Sequence, residues 1–307
     1  MQIKLNEINN RIKSNAPAFI DECDAAYYGR IREIAEDIHN NVETRPIVLI
    51  SGPSGSGKTT TAMTLEKMLD EWGIETHTLS MDNYFCTLTE EEIKLAEEEK
   101  FDLESPDRVD SELLSAQLAD IAACKTVNLP KFEFATHSRV FSGKTLTRKA
   151  GEIVILEGIH ALNPSVITLS DDQTTRIYVS VRTRVELADG GLIHPEKIRL
   201  ARRMIRDTIY RDREVTETLK MFNSVQRGEN AYIMPYKHRS TYDVNTFIPY
   251  EIGLYKNLLL AKLEKIAPDE RVDDIIKTLQ NVEPLDGDLV PETSLIREFV
   301  GNGQFDY

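Results

Sequence analysis

Cysteine, long apolar runs and positive charge are all scarce in this 307-residue sequence. Its three cysteines, Cys23, Cys86 and Cys124, are far apart and form no C-x-x-C pair, which argues against a disulfide framework and a zinc site. No window of 18 apolar residues occurs, and residues 1–15 lack the apolar core of a signal peptide. These absences predict a cytoplasmic protein that does not associate with membranes.

Basic residues are outnumbered, with 37 Lys and Arg against 51 Asp and Glu, which gives a formal net charge of −14. Nucleic acids and anionic membranes both bind basic surfaces, so we expect neither as the main partner. Internal repeats and low-complexity tracts are also absent. The length permits about two domains, or one α/β domain with extensions.

The most informative stretch is residues 47–61, where an apolar run leads into a glycine-rich turn and then an amphipathic helix. Its residues fit the spacing G-x-x-x-x-G-K-[ST] of a phosphate-binding loop. In such a loop the backbone N–H groups and the positive end of the following helix bind a polyphosphate. The predicted nucleotide-binding residues are Gly52, Pro53, Ser54, Gly55, Ser56, Gly57, Lys58, Thr59 and Thr60. Lys58 is expected to contact the β- and γ-phosphates, and the Thr59 hydroxyl to bind Mg²⁺.

Strands and helices alternate after this loop, which predicts an α/β fold of the P-loop NTPase type with a doubly wound parallel sheet. Further strands are predicted at residues 76–81, 127–134, 152–156 and 176–181, and helices at 90–100, from 111, from 194, at 251–265 and at 270–281. We predict a helical N-terminal extension (1–44), a kinase core (45–267) with a helical lid at roughly 194–240, and a C-terminal helix and tail (268–307).

Two carboxylates follow predicted strands, at the sheet edge where parallel α/β proteins bind their ligands. Asp82 follows the second strand and is positioned to accept a proton from a hydroxyl group, or to be an ordinary turn aspartate. Glu157 ends a buried strand, where a carboxylate needs a counter-charge, either Mg²⁺ or a salt bridge. Both should converge on the phosphate-binding loop.

A cluster of arginines stands out in this acidic chain. Positions 202, 206 and 213 fall on one helical face, so some members are candidates to contact the transferring phosphoryl group. For each one, an ordinary exposed ion pair is an equal alternative. The cluster consists of Arg202, Arg203, Arg206, Arg211 and Arg213.

Other nucleotide-binding classes lack support in the sequence. Neither the N-K-x-D motif that reads guanine nor the L-S-G-G-Q signature of transporters occurs. The pattern therefore favours a kinase over a GTPase or a transport ATPase.

Six motifs, in this order, resemble those of the uridine kinases and the related phosphoribulokinases. The resemblance covers about residues 47–267, and the His-Ser-Arg element at 137–139 is closest to uridine kinases. The motifs are the loop at 52–59, residues 80–85, 104–110, 131–139 and 156–159, and the arginines at 202–213. Residues 224–232 and 295–301 are similar to a longer bacterial branch of the family.

The resemblance implies ATP- or GTP-dependent phosphorylation of the 5′-hydroxyl of uridine or cytidine, with Mg²⁺ as cofactor. It implies that Asp82 is the catalytic base and that Arg211 and Arg213 are lid arginines. Together with Lys58 of the loop they form the predicted catalytic set, and Thr59 and Glu157 are the predicted metal-binding residues. The acceptor would be a small molecule. The resemblance also allows a homo-oligomer. The implied acceptor-binding residues are Asp82, Tyr84, Glu104, Phe132, His137, Arg139, Arg206 and Arg227.

Several positions depart from the family pattern. Phe85 and Phe132 replace tyrosines, and Glu104 replaces an aspartate that binds the ribose hydroxyls. These changes do not affect the predicted binding of the nucleotide donor. They do leave the identity of the phosphate acceptor open. The alternatives are a kinase for another sugar-like alcohol, as in phosphoribulokinases, and a non-catalytic nucleotide-dependent switch.

Overall fold

A central parallel sheet carries the fold in the computed structural model, which describes residues 1–98, 100–266 and 268–305. Glu99, inside the predicted helix 90–100, and residue 267, the predicted end of the core, lie outside those ranges. The described strands are β1 (Gln2–Lys4), β2 (Ile47–Ser51), β3 (Thr76–Ser80), β4 (Thr126–Glu133), β5 (Ser138–Thr147), β6 (Ile153–Glu157), β7 (Thr174–Ser180), β8 (Arg184–Glu186), β9 (Leu192–Ile193) and β10 (Tyr242–Asn245).

Helices cover both faces of this sheet. The described helices are α1 (Leu5–Asn40), α2 (Lys58–Glu71), α3 (Glu90–Glu97), α4 (Ser111–Ala122), α5 (Pro195–Arg211), α6 (Val215–Gly228), α7 (Glu251–Leu263), α8 (Asp273–Asn281) and α9 (Arg297–Val300). In this part of the chain, no helix is both long and apolar enough to cross a membrane.

The five-stranded sheet has the order β10-β7-β2-β6-β3, and every pairing in it is parallel. Successive side chains of a strand point to opposite faces, so one apolar strand supplies two cores. Val48 and Ile50 pack with α1, α2, α5 and α7, whereas Ile47 and Leu49 pack with α4 on the other face. The doubly wound α/β prediction is confirmed.

The N-terminal region is more structured than the sequence predicted. Helix α1 is interrupted at Asn15, which has φ −165° and ψ 84° just before Pro17, because proline disfavours helical backbone in the preceding residues. The Asn15 side chain accepts a hydrogen bond of 3.2 Å from the Ala18 N–H, and the helix resumes. The three-stranded sheet β1-β8-β9 was not predicted, because its strands are only two or three residues long.

Most predicted boundaries shift by a few residues. Strand β3 ends at Ser80, one residue early, because a 3₁₀ turn begins at Met81. Thr89 and Glu92 form the expected capping box at the start of α3. The β4–β5 hairpin changes register between Asn128 and Pro130, where proline provides no N–H for the ladder.

Candidate active site

Three glycines shape the phosphate-binding loop between β2 and α2. A Cβ on Gly52 would collide with the carbonyl oxygen of Val179 on β7. Gly55 and Gly57 have φ of +74° and +85°, backbone that residues with a side chain rarely adopt. The motif glycines therefore permit a curled loop lying directly against the sheet.

Hydrogen bonds from two arginines of α5 and from Thr246 fix the direction of the loop's peptide units. The carbonyl oxygen of Ser54 accepts from Arg199 Nη1 at 3.1 Å, that of Gly55 from Arg202 Nη1 at 3.2 Å, and that of Ser56 from the Thr246 hydroxyl at 2.6 Å. In a trans peptide the C=O and N–H groups point in opposite directions. The N–H groups of Gly55 and Gly57 are therefore turned away from these donors.

Arg202 is a structural residue of this support, which corrects its assignment to an arginine face that contacts the phosphoryl group. Its side chain is 0% exposed and donates to Glu251 at 2.7 Å and to the Thr246 carbonyl oxygen at 2.6 Å. The guanidinium also lies 4.7 Å from the ring centroid of Phe299. Arg213 does not share the face either, because α5 ends at Arg211.

We expect Arg202→Met to cost about 3–5 kcal/mol of unfolding free energy, because it leaves the buried Glu251 carboxylate without its cation. Arg202→Met/Glu251→Gln should recover most of that stability without restoring ADP affinity, since Gly55 still lacks its donor. Denaturant unfolding and ADP titration by calorimetry measure the two effects. A double variant that binds ADP like the wild type contradicts the positioning role.

The predicted convergence of strand ends is confirmed. In the sheet, Glu157 pairs with Ile50 and with Ser80, and the Ser80 hydroxyl donates to Glu157 Oε1 at 3.0 Å. Glu157 is 8% exposed. Burial raises the pKa of its carboxyl group to about 7, against the opposing attraction of the Lys58 ammonium.

Asp82 lies in the 3₁₀ turn Met81–Tyr84, beside the same lysine. Burial raises the pKa of its carboxyl group, while the cations of Lys58 and Arg211 lower it. The structure thus gathers a carboxylate, the loop lysine and one predicted arginine at one strand end. A carboxylate in this setting can hold a hydroxyl group toward a bound phosphate.

Asp207 gathers three arginines of the cluster around one buried carboxylate. Its oxygens lie 2.9 Å from Arg206 Nη2, 3.2 Å from Arg211 Nη1 and 3.8 Å from Arg213 Nη1. Burial raises the pKa of this carboxyl group, but the arginines outweigh that effect and leave the pKa below its ordinary value. Asp207 therefore holds the three guanidinium groups close together.

The Glu104 carboxyl group interacts electrostatically with Lys58 and Asp82. Burial raises the pKa of its carboxyl group, opposed by the cations of Arg203 and Lys58. A Cβ on Gly228 would collide with the Glu104 side chain, so α6 packs directly on this residue. Between them lies a cavity of about 410 Å³, lined by residues that include Phe101, Glu104, Met221, Val225 and Arg227.

The other predicted acceptor residues lie on the hairpin side, with one correction. Tyr84 is 1% exposed and its hydroxyl donates to Gln117 Oε1 at 2.9 Å, so its polar end points into the core rather than toward the site. Phe132 contacts Phe85 edge-on, His137 occupies the hairpin turn with φ +49°, and Arg139 pairs with Asp110 at 2.8 Å. Their roles in acceptor binding stay predictions.

The residues present suit a magnesium ion. Thr59 follows Lys58 in the first turn of α2, and the buried Glu157 carboxylate offers a hard oxygen ligand. Among the described residues no group of three or more acidic, histidine or cysteine side chains forms a complete metal cage. Mg²⁺ in phosphoryl-transfer sites needs only one or two protein oxygens, because phosphates and waters complete its shell.

Sequence reasoning missed the residues that support the loop from distant parts of the chain. Thr246, Glu251 and Glu298 all contact the loop region or its arginines. The apolar spacing of Leu295, Ile296 and Phe299 was the available signal that this segment packs on the core.

Known proteins similar to this chain include several uridine kinases. The chain is 32% identical to a uridine kinase of Lactobacillus johnsonii over 197 residues, 63% of this chain and 83% of that protein. It is 31% identical to uridine-cytidine kinase-like 1 of Mus musculus over 188 residues, 61% of this chain but only 31% of that protein. The structure of a possible uridine kinase from Bacillus stearothermophilus overlays with a TM-score of 0.47 at 19% identity, covering 71% of this chain and 98% of that one.

The family model described as phosphoribulokinase / uridine kinase matches residues 47–247. That range contains the phosphate-binding loop, both strand-end carboxylates and the arginine cluster, and leaves α1 and the residues after 247 unmatched. The chain is a P-loop phosphotransferase that acts on an alcohol group, and it belongs to the phosphoribulokinase / uridine kinase family.

Proposed function

We propose that the enzyme transfers the γ-phosphoryl group of ATP or GTP to the 5′-hydroxyl of a pyrimidine ribonucleoside, uridine or cytidine. One observation carries the proposal: Asp82 follows β3 at the strand end beside the phosphate-binding loop, where the Lys58 cation opposes the rise that burial causes in the pKa of its carboxyl group. The relatives named uridine kinase support the choice of acceptor.

Each group has a part in the transfer. The loop N–H groups and Lys58 bind the donor phosphates, and Asp82 accepts the hydrogen bond of the acceptor hydroxyl and holds it in line. Thr59 and Glu157 would hold Mg²⁺, which would supply positive charge against the donor phosphates. Arg211 and Arg213, positioned by Asp207, stabilise the charge that develops on the phosphoryl group.

The nucleoside is proposed to lie between the hairpin and α6. Glu104 accepts hydrogen bonds from ribose hydroxyls, while Phe132, His137 and Arg139 on the hairpin contact the base. Arg206 and Arg227 lie on α5 and α6, the elements that face the acceptor. A cytoplasmic location and assembly into a homo-oligomer stay predictions.

A second acceptor class has one observation in its favour. Phe85 and Phe132 present a purely apolar pair, with ring centroids 5.6 Å apart, where uridine kinases have hydroxyl groups. The lost hydrogen bonds weaken the preference for a nucleoside over another sugar-like alcohol.

A panel of nucleosides and sugar alcohols, assayed for acceptor-stimulated ATP and GTP consumption, tests the proposal. Uridine or cytidine should give the highest kcat/KM, and Lys58→Ala should abolish turnover because the donor phosphates lose their cation. Stimulation by a sugar alcohol alone would replace the nucleoside assignment. An absence of acceptor-stimulated turnover across the panel would favour the switch.

A further inference from the structure

We propose that Glu298 occupies the position of the donor's α-phosphate in the empty enzyme, so that residues 291–305, here called the C-terminal segment, compete with the nucleotide. The inference rests on the proposed donor site. It concerns a segment outside the family match, which ends at residue 247.

The contact lies on the anion-binding end of α2. The Thr60 N–H donates to Glu298 Oε2 at 3.4 Å, and the Thr60 hydroxyl donates a short hydrogen bond to the same oxygen. Thr60 is the third residue of α2, so it lies in the first turn, at the positive end of the helix dipole. In phosphate-binding loops this first turn receives the α- and β-phosphates.

The Glu298 side chain is buried, and its neighbours in the chain hold it in place. It is 6% exposed. On one side of it, Leu295 lies against Gly57, whose added Cβ would come within 3.1 Å of Leu295 Cδ1. On the other side, Phe299 packs on the Arg202 guanidinium that supports the loop. The two neighbouring contacts therefore place the carboxylate at the loop.

Anchors farther along the C-terminal segment fix its path. The Ser294 hydroxyl lies 2.7 Å from the Tyr250 hydroxyl and donates to Asp24 at 3.2 Å. Arg297 donates to four backbone carbonyl groups, those of Gly287, Pro291 and Gly301 at 3.0–3.3 Å and that of Val290. The segment is thus built into the protein on the donor side of the sheet.

A carboxylate and a phosphate oxygen require the same donors and carry the same sign of charge. Both cannot accept from Thr60 at one time, and repulsion between them acts in the low-dielectric site. A bound nucleotide must therefore displace the Glu298 side chain from Thr60.

The test measures ADP affinity by calorimetry for wild type, Glu298→Ala and Glu298→Gln. Removing the competing carboxylate should lower the Kd for ADP by about tenfold in Glu298→Ala, with a smaller decrease in Glu298→Gln, whose amide can still contact Thr60. Glu292→Gln, an exposed position in the same segment, controls for the change in net charge and should bind like the wild type. Melting temperatures verify that each variant is folded.

The outcomes separate this inference from the proposed function. If wild type binds ADP, Lys58→Ala does not, and both folded Glu298 variants bind no tighter than wild type, the competition is overturned while the donor site stands. Weaker binding in both variants would make Glu298 a donor-binding residue and also overturns it. If no variant binds ADP, the donor site and the inference both fail. A merely structural Glu298 cannot produce tighter binding.

Discussion

Asp82→Asn is expected to lower kcat by about a thousandfold while leaving the nucleotide bound. The amide keeps the size of the side chain but cannot accept the proton of the acceptor hydroxyl. Donor affinity should be unchanged or slightly tighter, because a negative charge beside Lys58 is removed. The kcat and the ADP dissociation constant are measured separately, by steady-state kinetics and calorimetry.

The matched control is Asp120→Asn, which makes the same chemical change on the surface of α4, where Asp120 pairs with Lys125 at 2.9 Å. It should leave kcat within about twofold of wild type. A kcat for Asp82→Asn within tenfold of wild type would exclude a proton-accepting role. Loss of ADP binding together with kcat would instead indicate damage to the loop.

Glu157→Gln is expected to change stability and activity in opposite directions. The folded-state pKa of about 7 exceeds the ordinary value of 4.5, so the folded protein holds more protons than the unfolded one between these pH values. The stability from this group is fully present below about pH 4.5 and is lost as the pH rises through 7. At pH 8 the variant should therefore be more stable by about 3 kcal/mol, while turnover falls about 100-fold with the loss of the metal ligand proposed above.

Denaturant unfolding from pH 5 to 8, without nucleotide or Mg²⁺, measures the first effect. The pH dependence should be flatter in the variant. Glu152→Gln, beside the other end of β6, is the control: a hydrogen bond from the Lys149 N–H lowers the pKa of Glu152, so its loss should destabilise the protein near neutral pH. Equal stability of wild type and Glu157→Gln at pH 8 would contradict an unfavourable buried charge.

The parallel sheet and the convergence of its strand ends could be predicted from sequence because the signals are local. A continuous apolar run such as β2, followed at once by the loop motif, specifies strand, turn and helix within 25 residues. The rule that ligands bind at the carboxyl ends of parallel strands then brings Asp82 and Glu157 to the loop. No long-range contact had to be known.

Contacts between distant parts of the chain were not predictable in this way. Glu298 reaches Thr60 across 238 residues, and Arg202 meets Glu251 across 49. The sequence positions of the arginines on α5 do not reveal whether a given arginine contacts a bound phosphate or donates to the loop's carbonyl groups. Tyr84 shows the same difficulty on a smaller scale, because one turn of 3₁₀ helix determines whether its hydroxyl faces the site or Gln117.

The contacts of Arg199 and Arg202 with the loop constrain how the enzyme can close. They join the first half of α5 rigidly to the phosphate site, so this helix cannot swing as a unit. Between α5 and α6 the chain turns at Asp212, whose φ of +48° is left-handed, so this residue is the pivot we expect for a movement of α6. Motion about that pivot would carry Arg213 but leave Arg211 in place, and it must first break the 3.3 Å hydrogen bond from Thr218 to Asp207. A closure about Asp212 would therefore move α6 while α5 stays in place.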